Sequence, residues 1–294
     1  MSQISPRVLA RSRLTSTASN FSLVIGSGAK SVVYKGFMDD RAVAIKLLSK
    51  PVKEENFQIL LDFWRLDHPN VVKLLATCND GMQALVYEFV PNNTLRFHLQ
   101  GEQTNARLLS WGMRMSILLG IAKGIHYLHN QAWMRVIHGS ITSSNVMLDS
   151  NWTPKLSDVG VSQLLLKDVP MDSLVGTEYL DQEFFNGGIL TTESDVYSFG
   201  IVILETISGR GPRVPRPGQT AVTDSILIWV EKQFNSGHVR DLVDRRCPDI
   251  DQIGQDTVAE IVTLAMRCCE RSRVRRPSTN VVIETLEKVL NGES

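Results

Sequence analysis

The chain has no net charge, since 31 Lys and Arg balance 31 Asp and Glu. Without a field of one sign it offers no footprint for nucleic acid or for an anionic membrane, and neither is expected as a partner. Cysteine is scarce. Cys78, Cys247, Cys268 and Cys269 have no metal-ligand spacing, and adjacent cysteines rarely bridge each other, which points to a reducing, intracellular compartment. No apolar run approaches the roughly 18 residues of a membrane span. The stretch Met1-Ser2-Gln3-Ile4-Ser5-Pro6-Arg7 lacks a signal-peptide core, and Ser2 stands where myristoylation needs glycine. The expectation is a cytoplasmic chain with no intrinsic membrane anchor, reaching the plasma membrane only through partners.

What is present is the composition of a globular protein, 43% hydrophobic and 21% charged, which excludes a disordered or collagen-like chain. Its 294 residues suffice for two domains or one large two-lobed one. Residues 1–20 are rich in Ser, Thr and Arg without hydrophobic period and read as a loose arm. From Phe21 to Leu48 the pattern is that of three strands, with hairpin chemistry at Met38-Asp39-Asp40-Arg41. Phe57, Leu60, Leu61 and Trp64 predict a helix over 53–66, and two more strands follow near 71–76 and 83–89.

Beyond Thr94 the periodicity is helical. Met113, Ile117, Ile121, Ile125 and Leu128 share one face, with Arg114 and Lys123 pointing elsewhere. Val196–Ile207 is apolar nearly all round, as in a buried helix. Arg210–Gly218 reads as a Pro/Arg/Gly loop, and amphipathic helices close the chain near 256–269 and 278–290. The fold class is therefore α+β, a small antiparallel β-rich lobe with one helix over about 21–90 and a larger helical lobe over about 94–290.

Three stretches carry chemistry. In Ile25-Gly26-Ser27-Gly28-Ala29-Lys30-Ser31-Val32-Val33 the glycines follow a strand and would let backbone N–H groups approach phosphates. A strand follows instead of a helix, which argues against a dinucleotide fold or a P-loop, and a plain hairpin explains the glycines equally. Val43-Ala44-Ile45-Lys46, on the third strand, adds an ammonium one hairpin away. In Val136–Asp149 and Lys155–Gly160, Asp158 follows Asn145 by 13 positions. Asn and Asp at strand ends are hard oxygen ligands suited to Mg²⁺ with phosphates, and both residues also favour turns for their own sake.

These motifs, in this order, resemble the eukaryotic protein kinase family, and within it the plant receptor-like and receptor-like cytoplasmic kinases related to Pelle. The resemblance covers about residues 21–290 and extends to Leu85–Leu95, Leu109–His129, Gly176–Glu183, Ser194–Gly200 and Arg276-Pro277. It implies a bilobal kinase fold that binds ATP and Mg²⁺. Lys46 would hold the α- and β-phosphates, Gly26 and Gly28 the roof, and Glu88 to Val90 the adenine. Ile25, Val33, Ala44 and Tyr87 complete the nucleotide-binding set, and Asn145 and Asp158 would take the metal. Glu183 and Arg276 match an ion pair, and Asp195 a brace of the catalytic loop, though Thr192 to Asp195 also resembles a helix capping box.

The departures decide the functional expectation. His138-Gly139-Ser140-Ile141-Thr142-Ser143-Ser144-Asn145 stands where the family pattern is His-Arg-Asp-x-Lys-x-x-Asn. Ser140 replaces the carboxylate that accepts the substrate hydroxyl's proton, a loss of about 10²–10⁴ in rate. Thr142 replaces a Lys, removing a charged hydrogen bond of roughly 1.5–3 kcal/mol. Ser31 takes the place of a third glycine, Val159 that of Phe, and Gly139 that of an Arg that receives an activation-loop phosphate, so Ser173 and Thr177 are not expected to act as on-switches. Ile59 or Leu60 falls where a Glu pairs with Lys46, leaving Glu54 or Glu55 as substitutes one helical turn earlier. The expected protein is a pseudokinase that retains weak ATP and Mg²⁺ binding and serves an active receptor-like kinase or an immune or developmental receptor complex. The alternatives are an active Ser/Thr kinase with a rearranged site, or another phosphotransferase reusing the cleft.

Overall fold

The computed structural model describes residues 7–28, 31–101, 106–160, 176–216 and 219–292. The chain divides into two compact units, Met1–Pro91 and Asn92–Ser294.

In chain order the first unit holds β1 (Arg7–Val8), α1 (Arg11–Thr17), β2 (Val24–Gly28), β3 (Ser31–Met38), β4 (Arg41–Leu48), α2 (Glu54–Asp62), β5 (Leu74–Asn79) and β6 (Gln83–Glu88). The strands form one sheet in the order β1-β5-β6-β4-β3-β2, antiparallel except for β1 on β5. Asp39 and Asp40, at φ 50° and 62°, make the two-residue turn that sets Met38 opposite Arg41. That turn fixes the whole β3–β4 register. One face of the sheet carries Val43, Ile45 and Val86, which pack with Ala76, Cys78 and Ala84 into a core.

Residues 7–20, expected as part of a loose arm, cover that face. Leu9, Leu14 and Ala18 are buried in the same core, and Phe21 sets its ring edge-on to Tyr34 at 5.0 Å. A Cβ at Gly36 would lie 2.2 Å from the Thr17 carbonyl oxygen, so only glycine on β3 lets α1 approach this closely. Three spaced apolar residues carry too weak a period to announce a helix. What orders them is the apolar face that would otherwise meet water, together with the unpaired edge of β5.

The second unit contains α3 (Leu95–Gln100), α4 (Trp111–His126), β7 (Val146–Leu148), β8 (Pro154–Leu156), α5 (Gln182–Gly187), α6 (Thr192–Ser208), β9 (Arg213–Arg216), β10 (Gln219–Ser225), α7 (Ile226–Asn235), α8 (Gln255–Cys268) and α9 (Thr279–Asn291). Side-chain oxygens of Thr94, Ser110, Asp181, Thr191, Ser225 and Ser278 cap six of these helices by accepting from first-turn N–H groups. The capping box of α6 pairs Thr191 with Ser194, one residue earlier than the sequence pattern suggests. As expected from its apolar run, α6 is the buried helix. A Cβ at Gly200 would meet the Ala265 carbonyl oxygen at 2.9 Å, which measures how closely α8 lies against it.

The structure refines one sequence expectation and corrects another. Arg114, read only as pointing away from the apolar face, turns into the interior: it is buried, donating to the Leu109 and Thr206 carbonyls at 3.0 and 2.6 Å and to Asp244 at 2.7 Å. Three acceptors offset its desolvation, and no periodicity could announce them. The segment read as a basic loop forms the β9–β10 hairpin, and its charges are matched. Arg213 pairs with Glu178 at 2.7 Å, Arg216 with Asp224 at 2.8 Å, and the Arg210 guanidinium lies 4.5 Å from the centre of the Trp229 ring.

Candidate functional site

In the first unit, strand register assembles the candidates. Gly26 lies opposite Val33, Val33 opposite Lys46, and Lys46 opposite Leu85; the next row sets Lys35, Ala44 and Tyr87 side by side. Directly opposed residues, and residues two apart, share a face of a pleated sheet. Gly26, Val33, Ala44, Lys46 and Tyr87 therefore stand on one face, opposite to the one that α1 covers. Gly28 pairs with Ser31 at the end of the β2–β3 hairpin, and Ile25 is exposed on the sheet's edge strand. Glu88 is pinned at both ends of its residue: its N–H donates to the Lys73 carbonyl at 3.0 Å, and its carboxylate accepts from Lys73 N–H at 2.9 Å. Val90 is buried just beyond it. Of the two proposed substitutes for the helix Glu, Glu54 is engaged elsewhere, by Gln58 Nε2 at 2.9 Å and Asn79 Nδ2 at 2.5 Å. Glu55 is exposed in the first turn of α2.

In the second unit, the loop from His138 to Asn145 hangs on Asp195. Its carboxylate, buried in the first turn of α6, accepts from His138 N–H, Gly139 N–H and His129 Nε2, each at 2.8 Å. Three donors and the positive helix end hold that charge without solvent. Gly139 has φ 74°, a left-handed turn that favours glycine.

After this turn, Ser140 N–H donates to His138 Nδ1 at 3.3 Å. Asn145 Nδ2 donates to the Ser140 carbonyl at 2.9 Å and to its hydroxyl oxygen at 3.0 Å. The amide is thereby oriented, with Oδ1 left as its ligating atom. Ser157 then donates to the Asn145 carbonyl from both N–H and hydroxyl, at 2.8 and 3.0 Å. Asp158 follows directly at φ 64°, and Gly160 N–H returns to the His138 carbonyl at 3.2 Å. Asn145 and Asp158 are thus brought onto neighbouring, mutually bonded loops. Among the described residues no group of three His, Cys, Asp or Glu could hold a metal by itself. The pair would need phosphate oxygens and water to complete a shell, which is how Mg²⁺ is usually held.

His138 is fully buried. Burial pushes its imidazole pKa down despite the field of Asp195, and Nε2 has no hydrogen-bond partner among the described residues. A neutral ring whose Nδ1 already receives the Ser140 N–H has no lone pair free for a substrate proton.

Sequence reasoning missed Glu205 and Tyr179. The Glu205 carboxylate accepts from the Ser143 hydroxyl at 3.0 Å and from the Tyr179 hydroxyl at 2.8 Å. Burial raises its pKa to about 7, with the two hydroxyls offsetting part of the rise. One carboxylate inside the apolar run Val196–Ile207 was the available signal. The expected Glu183–Arg276 pair is also corrected. Arg276 pairs with Asp181 at 2.9 Å, while Glu183 accepts from Arg273 N–H at 3.1 Å. Arg273 joins Asp181 as well, at 3.0 Å. Burial would raise the Asp181 pKa, but Arg276, Arg273 and the Phe184 N–H hold it down, to about 2. Asp181 wins the arginines because it is the N-cap of α5, buried at the junction, whereas Glu183 stands half-exposed two residues on. Ser173 lies outside the described residues.

The profile of the protein tyrosine and serine/threonine kinase family matches residues 20–286. The chain belongs to this kinase family. Among Arabidopsis thaliana proteins, it is 32% identical to cysteine-rich receptor-like protein kinase 37 over 94% of this chain and 44% of that one. It is 36% identical to a probable LRR receptor-like serine/threonine-protein kinase over 90% of this chain and 28% of the relative. It is 34% identical to the serine/threonine-protein kinase CDG1 over 91% and 64%. The chain thus spans less than half the length of the first two relatives. The β-rich first unit and the helical second unit are the two lobes of the kinase fold, and no helix among the described residues is long and apolar enough to cross a membrane.

Proposed function

We propose that this kinase-family chain has lost phosphotransfer and works by binding, as a scaffold or allosteric partner of an active receptor-like kinase in an immune or developmental receptor complex. The observation that carries this reading is the Ser140 hydroxyl. It accepts from Asn145 at the position where the family pattern has a carboxylate. A hydroxyl remains neutral at working pH, and the buried His138 ring offers no alternative base. Thr142 adds a second loss, since it brings no cation to the transferring phosphoryl group.

The residues present fit ATP and Mg²⁺. Gly26, Gly28 and Lys46 would cradle and neutralise phosphates, with Ile25, Val33, Ala44, Tyr87, Glu88 and Val90 around the base. Asn145 Oδ1 and Asp158 would hold the metal, which would supply positive charge to neutralise phosphate. Receptor-like kinases among the relatives support the signalling setting, and the balanced charge supports a cytoplasmic chain that meets the plasma membrane through partners.

A second reading, an active Ser/Thr kinase with a rearranged site, is favoured by the retention of Lys46, Asn145 and Asp158 beside an intact Asp195 brace. Nucleotide binding and radiolabel transfer, measured side by side on purified protein, separate the two. Binding without transfer supports the scaffold. Transfer to a protein acceptor that disappears in Lys46→Met supports the enzyme.

A further inference from the structure

The kinase reading gives residues 7–21 no task, yet they are built in an unusual way. Alone, Arg11-Ser12-Arg13-Leu14-Thr15-Ser16-Thr17 is a poor helix. Seven residues fall short of the roughly 12–15 that an isolated helix needs. Arg11 and Arg13 crowd the positive end of its dipole, and Ala10 supplies no side-chain cap. The Arg11 N–H depends instead on Asp80 Oδ2, 3.0 Å away at the end of the neighbouring strand. Docking holds the helix in place: Leu14 and Ala18 are buried, and Arg13 reaches Asp39 at 3.4 Å. Immediately after it, Ser19, Asn20 and Phe21 have φ of 47°, 56° and 58°, three consecutive residues in a conformation that side chains disfavour. A short, weakly capped helix that ends in strained backbone is a local unit that opens readily.

Ser16 lies in the last turn of this helix. It is exposed, its hydroxyl donates to the Arg13 carbonyl at 2.8 Å, and it borders an open groove of about 860 Å³ shared with Arg11, Thr15 and Asp80. Arg13 and Arg11 precede it by three and five residues. Once the segment is undocked, that spacing offers two guanidinium groups to the acidic subsites by which arginine-directed kinases choose their serines.

We propose that Ser16 is a phosphorylation site for an arginine-directed serine/threonine kinase, and that phosphate there releases residues 7–21 from the sheet. In the transfer, a bond forms between Ser16 Oγ and the γ-phosphorus of ATP as the bond to the ADP oxygen breaks, and the hydroxyl proton leaves through the modifying kinase's base to solvent. The product loses the donor to the Arg13 carbonyl. It places nearly two negative charges at the negative end of the helix dipole. It also attracts Arg13 away from Asp39 in the β3–β4 turn, a carboxylate that Arg13 shares with Arg7, and so weakens one of the two tethers. Each change opposes docking. The proposal is independent of whether position 140 supports catalysis.

The test treats the full chain with ATP and an arginine-directed kinase, and in parallel with an acid-directed kinase of equal activity. The modified residue is mapped by mass spectrometry, and hydrogen exchange is then followed. The expected result is phosphate on Ser16 from the arginine-directed enzyme alone, with total labelling falling at least tenfold in Ser16→Ala. Amides of residues 9–18 exchange at least tenfold faster in the modified chain, while those of α4 and α6 are unchanged. Labelling confined to other residues, equal labelling of Ser16 by both enzymes, or Ser16 phosphate with unchanged exchange over 9–18 overturns the proposal.

Discussion

Asn145 and Ser140 are bonded twice, the amide Nδ2 reaching the serine's carbonyl at 2.9 Å and its hydroxyl at 3.0 Å. The two bonds fix the Ser140 side chain and backbone relative to the Asn145 amide. The Asp195 brace, which needs only backbone N–H groups and His129, is indifferent to the side chain at position 140.

On the proposed reading, supplying the missing carboxylate and ammonium should create activity. Ser140→Asp with Thr142→Lys is expected to raise phosphate transfer to a generic protein acceptor by about 10² or more over the unaltered chain, the lower end of what a general base contributes. Ser140→Asp alone should give part of this, and adding Lys46→Met should abolish it. No gain in the double variant, with the fold intact by circular dichroism, would show that position 140 was not limiting.

On the proposed reading, nucleotide binding should depend on Lys46, Asn145 and Asp158. With ATP and Mg²⁺ at about 100 times the dissociation constant, stabilisation of about 2.7 kcal/mol is expected, read as a rise of several degrees in Tm. Lys46→Met, Asn145→Ala and Asp158→Ala should each reduce that rise without lowering the Tm of the nucleotide-free protein comparably. An equal rise in all three variants would place the nucleotide elsewhere.

Glu205 should leave a mark on the pH dependence of stability. Its pKa rises from 4.5 to about 7 on folding, so the folded state binds the extra proton between those values. Its contribution is full below about pH 4.5 and is lost as pH rises through 7. Glu205→Gln should flatten that part of the profile in chemical denaturation between pH 5 and 8, since Gln cannot titrate. An unchanged slope would mean that the carboxylate is already ionised when buried.

Asp181 should act with the opposite sign. Its folded-state pKa falls from 3.8 to about 2, so the stability it adds is present at neutral pH and lost as pH drops through that interval. Asp181→Ala removes the carboxylate that two guanidinium groups share, and a loss of roughly 3–5 kcal/mol is expected for breaking a buried ion pair. Glu183→Ala, touching only Arg273, should cost clearly less. Equal losses would reverse the assignment of Arg276 to Asp181.

Much of the candidate site is legible in the sequence. Gly26, Lys46, Asn145 and Asp158 lie in local strings whose order and spacing are themselves the signal, and the strands and helices around them follow from alternation and 3.6-residue periodicity. The buried α6 was announced by its unbroken apolar run. Less legible were partnerships across long sequence separations. Arg276 could have met Glu183 or Asp181, two residues apart on one short segment, and only burial and capping at the start of α5 selected Asp181. Arg114 reads as a surface charge until Asp244, 130 residues away, is seen beside it.

By itself, then, the sequence determined the kinase family, the order of most elements between Phe21 and the C-terminal helices, and the substitutions at positions 140 and 142, because each is written in a short contiguous stretch. The tertiary structure decided which distant charges meet, that residues 7–21 fold onto the sheet, and that Ser140 is bound to Asn145. The physical reason is common to all three. Local propensity is a matter of nearest neighbours, whereas the burial of an apolar face or the pairing of a desolvated charge depends on atoms that only folding brings together.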